Sequence, residues 1–192
     1  MVGNVLPRVT DETVTAKTDF LEFKERSYLN KFGDERRWSM VSRAGGGRAV
    51  MIVPYHGNKI VVTREFRAPV GGRCYCFPSG QLAPGEDAAA GAGRVLHVRT
   101  GLNIAEIQAV SRPVFNSPGI TDETVTLVYA RVKGTASKKK QKPDEEIETL
   151  FLDRKQVVAL MNDEHCRIDT RTWIELYHFL NVRSSKRVQK SE

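Results

Sequence analysis

The side chains best able to do chemistry gather between Phe77 and Leu102, FPSGQLAPGEDAAAGAGRVLHVRTGL. Glu86 and Asp87 stand at the entrance to a helical stretch, with Arg94 two turns on. The backbone dipole favours a negative charge at a helix N-terminus, so Glu86 reads as such a charge paired with Arg94, or else as a metal ligand. Asp87 reads as the helix cap or as a second ligand. Other chemistries find little support. The four histidines, His56, His97, His165 and His178, form no ligand-spaced pair. Cys166 follows His165, and adjacent residues of a helix or turn point apart, which disfavours a Cys/His nucleophile. Cys74 and Cys76 are expected on opposite faces of a strand, as free thiols.

These side chains need a scaffold. Phe20 to Tyr28 and Arg36 to Ser42, around Asn30 to Asp34, read as an antiparallel hairpin. Arg48 to Tyr55 and Lys59 to Arg67, joined through His56, Gly57 and Asn58, read as a second. A short strand follows at Arg73 to Phe77, then an irregular loop holding Pro78, Gly80, Pro84 and Gly85. The helix over Asp87 to Thr100 stops at Gly101. Further strands are expected at Ile104 to Arg112, Thr124 to Val132 and Ile147 to Leu152, with helices at about 154–162 and 170–182. Strands in runs with helices interposed indicate an α/β domain with a mixed sheet.

The chain has 192 residues, 40% hydrophobic and 28% charged, the make-up of one domain with a real core. The expected organisation is a flexible leader over 1–14, one domain over 15–182 (hairpin 15–47, core 48–182, basic loop 133–146) and a basic tail over 183–192. No apolar run approaches the length of a membrane helix, so no membrane association is expected. The net charge of +7 sits largely in Lys138, Lys139, Lys140 and Lys142 and in the tail. Those segments read as solvated, or as weak contacts to nucleic acid or an anionic surface, with no aromatic residues among the lysines to stack bases. The acidic N-terminal region points to the cytoplasm, with the nucleus as the alternative.

The Phe77–Leu102 stretch resembles the box of the Nudix hydrolases, G-x5-E-x7-R-E-U-x-E-E-x-G-U with U aliphatic. Gly80, Glu86, Arg94, Leu96, Gly101 and Leu102 fall on that frame without a gap. REFRAPVGG before it and SPGITDETVTLVYARV after it resemble the ADP-sugar pyrophosphatase branch. The resemblance implies a Nudix fold, an α/β/α sandwich preceded by an antiparallel N-terminal β hairpin. It also implies a homodimer that exchanges its N-terminal strands, and ADP-ribose or a similar nucleotide-sugar as ligand. On the matching positions Phe20 and Trp38 would form an aromatic platform for adenine, Arg43 and Arg67 would contact phosphate, and Glu123 would help activate water. Strand packing and ordinary surface charge are the alternatives for these residues, and Arg64 reads as surface.

The departures bear on activity. The box glutamates that bind divalent metal fall here on Val95, Val98 and Arg99. Positions i, i+3 and i+4 share a helix face, so three carboxylates there can hold Mg2+ or Mn2+, whereas two valines offer no oxygen and Arg99 brings a fixed positive charge. Arg99 reads as a stand-in cation for a diphosphate, or as an ion-pair partner of Glu86 or Glu123. The expectation is a catalytically impaired member that needs no cofactor and retains nucleotide-sugar binding or a scaffold role. The alternative is an active hydrolase with an altered Mg2+ or Mn2+ site built on Glu86, Asp87 and Glu123.

Overall fold

The computed structural model describes residues 6–181. The strands are β1 (Arg8–Lys17), β2 (Leu21–Leu29), β3 (Glu35–Arg43), β4 (Arg48–His56), β5 (Lys59–Arg67), β6 (Gly72–Cys76), β7 (Ser79–Gln81), β8 (Asn103–Val110), β9 (Val114–Phe115), β10 (Thr124–Lys133), β11 (Ile147–Leu152) and β12 (Arg167–Ile168). The helices are α1 (Ala88–Thr100), α2 (Arg154–Asn162) and α3 (Thr170–Asn181). The described residues fall into two compact units, 6–49 with 112–126 and 50–111 with 127–181.

In the first unit β1, β2 and β3 form an antiparallel sheet in that order. The β2–β3 register runs from Leu21 opposite Arg43 to Leu29 opposite Glu35. Its turn is closed by the Asn30 carboxamide oxygen, which accepts from the amides of Phe32 at 2.9 Å and Asp34 at 3.0 Å. Gly33 supplies the positive φ of 86° that a side chain would resist. Residues 8–14, expected as part of a leader, are instead strand. β1 exposes every residue, so it carries no apolar alternation to announce it. Backbone pairing with β2 holds it, helped by Glu12 between Lys24 and Arg26. The short β9 pairs with the start of β10.

In the second unit the main strand order is β12-β6-β5-β4-β10-β8, with β11 on β5 and β7 on β4. β12 runs parallel to β6 and β11 antiparallel to β5, so the sheet is mixed. Strand alternation gives it two apolar faces. Val50, Ile52, Val61, Val128, Ala130 and Val132 pack with Ala92, Val95 and Leu96 of α1. Tyr129, between two of them, points the other way and donates to Glu175 of α3 at 2.7 Å. Helices on both faces give the sandwich layering. Cys74 and Cys76 are two apart and therefore share one face of β6, which corrects the expectation of opposite faces. Both are buried and free. Burial, with Cys74 as neighbour, pushes the Cys76 thiol up to about 12.

The 133–146 loop leaves Lys138, Lys139, Lys140 and Lys142 exposed, as expected, but it is tethered. The Ser137 amide donates to the Thr100 carbonyl at 2.8 Å, and Gln141 Nε2 donates to the carbonyls of Arg99 at 2.8 Å and Ile147 at 3.2 Å. Among the described residues no helix is long and apolar enough to cross a membrane. The expected basic tail lies outside the described residues.

Candidate functional site

The box loop and helix are built as their residue types require. Asp87 caps α1, accepting from the amides of Ala89 at 2.9 Å and Ala90 at 3.2 Å. Gly101 ends the helix at φ 79°, in the left-handed region that glycine adopts most readily. Glu86 is gripped by Arg94 through Nε at 2.8 Å and Nη2 at 2.6 Å, and it accepts from the Ala83 amide at 2.8 Å. The Arg94 hydrogen bonds, then that amide, hold the Glu86 carboxyl down at about 2. Both oxygens of Glu86 are therefore engaged within the loop. Gly80 is needed for close approach, since a Cβ there would lie 2.9 Å from Val95 Cγ2.

Of the three degenerate box positions, Val95 is in the core and Val98 is half-buried. Arg99 pairs with Glu65 and Glu145 and not with Glu86, which corrects that expected partner. Its Nη1 lies 3.0 Å from Oε2 of Glu65 and 3.8 Å from Oε1 of Glu145. Glu65 also takes Arg67 at 3.0 Å and Thr63 Oγ1 at 3.3 Å, both on Oε1. Burial works against the Arg67 charge, but Glu65 together with Cys76 and Cys74 outweighs it, so Arg67 titrates above its ordinary range. Glu65, Arg67 and Arg99 line a cleft of about 370 Å³ with Asp144, Glu145 and Glu146. Arg64, expected at the surface, pairs with Glu148 at 2.6 Å.

In the first unit Trp38 stands half-exposed on β3, its Nε1 donating to the Gly119 carbonyl at 3.0 Å. Tyr28 meets it edge-on with centroids 6.4 Å apart. The two rings wall an apolar groove of about 440 Å³ that also takes in Met40, Phe115, Ile120 and Asp122. Phe20 is exposed and lies beyond the end of the β2–β3 ladder, its carbonyl accepting from Ala44. Trp38 is opposite Arg26. Six residue steps along the strand therefore separate Phe20 from Trp38, about 20 Å at strand rise, so the two rings of one chain do not face one base. Glu123 accepts from Arg43 Nε at 2.9 Å and Asn116 Nδ2 at 2.6 Å, with its side chain 14% exposed. It is neither a free loop acid nor solvent-facing.

The sequence reading missed Glu65, Glu145, Asn116 and Asp122. Asp122 accepts from Ser42 Oγ at 2.9 Å. One signal was available for Glu65, because strand alternation puts it on the face of Val61, which packs under α1.

Comparison with known proteins matches residues 46–174 to the NUDIX domain. Mouse (Mus musculus) ADP-sugar pyrophosphatase is 27% identical over 183 residues, covering 86% of this chain and 84% of that protein. The ADP-ribose pyrophosphatase of Saccharomyces cerevisiae is 31% identical over 128 residues, 62% of this chain and 55% of that protein. Among solved structures, the crystal structure of an ADP compounds hydrolase superposes with a TM-score of 0.73 at 17% identity, covering 89% of this chain and 90% of that one. Nudix hydrolases generally use divalent metals such as Mg2+ or Mn2+, and the side chains at the three box positions of α1 do not fit such an ion. Among the described residues no group of three His, Cys, Asp or Glu could hold one. From the matched residues, the box frame and the fold, the chain belongs to the Nudix family, where it resembles the ADP-sugar pyrophosphatase branch.

Proposed function

We propose that this Nudix protein binds an adenine nucleotide-sugar of the ADP-ribose type and is catalytically impaired toward its diphosphate. The observation that carries this reading is the box helix itself, with Val95 in the core, Val98 without an oxygen donor and Arg99 ion-paired to Glu65. Losing metal oxygens removes both the Lewis acid and water activation, which together supply several kcal/mol of barrier reduction. The remaining carboxylates are engaged elsewhere: Glu86 with Arg94, Asp87 as helix cap, Glu123 with Arg43 and Asn116. The binding half has better support. Trp38 offers an exposed ring on an apolar groove, suited to stacking a base.

The functional unit is proposed to be a homodimer. Phe20 and Trp38 of one chain stand too far apart to clamp a single base, so a two-ring platform needs rings from two chains. β1, exposed along its whole length, is consistent with covering by a second copy. A scaffold role in a larger assembly is the fallback if no nucleotide binds.

A second reading, an active hydrolase with a relocated metal, draws on the likeness to enzymes named as pyrophosphatases. AMP release from ADP-ribose in Mg2+ and in Mn2+ separates the two. The proposal expects no turnover above background, and turnover near ~1 per second, ordinary for enzymes, would overturn it.

A further inference from the structure

The family's use of a divalent cation and the side chains on this α1 disagree, and the cleft beside the helix holds a cation of another kind. Arg99 Nη1 lies between Oε2 of Glu65 at 3.0 Å and Oε1 of Glu145 at 3.8 Å. Arg67 neutralises the other oxygen of Glu65 at 3.0 Å. Two carboxylates and two guanidiniums thus form a quartet with no net charge. It is poorly screened, since the Glu65 side chain is 6% exposed and that of Arg99 21%. Glu145 belongs to the loop that Ser137 and Gln141 already tie to the end of α1, and its neighbour Glu146 pairs with Arg73.

We infer that Arg99 is the chain's own tethered counter-cation for Glu65 and Glu145, so that this cleft holds together without a divalent metal, and that through Glu145 it pins the acidic end of the 137–146 loop at the cleft. A guanidinium is permanently charged and its planar fork can serve two carboxylates at once, which a lysine does less well. A dication arriving here would have to displace hydrogen-bonded arginine from a buried carboxylate. The inference goes beyond the nucleotide-binding reading and is tested without any nucleotide.

The experiment is thermal unfolding of the full chain in EDTA and in millimolar Mn2+, with Mn2+ binding followed by electron paramagnetic resonance. Wild type should show the same Tm in both and no bound Mn2+. Arg99→Met keeps an unbranched apolar stem but removes the guanidinium and its charge, leaving the quartet at net −1 with a gap between Glu65 and Glu145. Its Tm should rise by about 3 °C in Mn2+, and the added change Glu145→Gln should abolish that rise. If Arg99→Met does not fold, Glu145→Gln alone, at a loop position, should speed amide exchange over 137–146 several-fold and leave α1 unchanged. Mn2+ binding to wild type, an Arg99→Met protein indifferent to Mn2+, or unaltered loop exchange in Glu145→Gln would each overturn the inference.

Discussion

At the residue scale, Glu86 and Arg94 show how a box pair can be structural. The Glu86 carboxyl is held down at about 2 by Arg94 and the Ala83 amide, below the ordinary value of 4.5. A depressed folded-state value stabilises the fold above the unfolded value and loses that contribution as pH falls toward 2. Urea denaturation of wild type and Glu86→Gln should therefore show a stability gap that is constant from neutral pH to about pH 5 and closes between roughly pH 4.5 and 2. A gap independent of pH would mean that Glu86 acts through packing. Trp38 presents a half-exposed ring on the apolar groove. Trp38→Ala should weaken ADP-ribose binding by about 1 to 3 kcal/mol, about five- to a hundred-and-fifty-fold, with circular dichroism unchanged.

At the element scale, α1 carries two glycines with different reasons to be there. A Cβ on Gly93 meets nothing within 4 Å, so Gly93→Ala should stabilise the protein by about 1 kcal/mol through helix propensity alone. A Cβ on Gly91 would fall 2.2 Å from Leu82 Cδ2, so Gly91→Ala must shift that side chain and should be the less stable of the two variants in thermal melts. Val95 is fixed more firmly still. Restoring a box glutamate by Val95→Glu places a carboxylate in the core, and should cost about 3 kcal/mol or more. Most of this architecture was readable: the two hairpins, α1 with its Asp87 cap and Gly101 stop, and both closing helices follow from local period and punctuation. β1 escaped because its stability comes from a partner strand rather than from its own pattern. β7, β9 and β12 are only two or three residues long and exist through pairing alone. The Arg99–Glu65 pair spans 34 positions, a distance over which residue types say nothing about contact.

At the scale of the whole molecule, the Nudix fold keeps the frame of its box, from Gly80 and Glu86 to Gly101, while the three positions of the metal face are taken up by core packing and an ion pair. The two aromatic candidates about 20 Å apart in one chain predict that the protein is a dimer in solution. Sedimentation equilibrium should report about twice the 21.6 kDa chain mass, and a monomer at ligand-binding concentrations would remove the two-chain platform. The central claim, binding of a nucleotide-sugar without metal-assisted cleavage, meets its most direct test in one calorimetric titration. ADP-ribose is titrated into the full chain in EDTA and again in Mg2+, and the contents of the cell are then assayed for AMP. The expected result is saturable binding of equal affinity in both buffers with ADP-ribose recovered intact; affinity that appears only with Mg2+, accompanied by AMP, would show that the protein is a metal-dependent hydrolase instead.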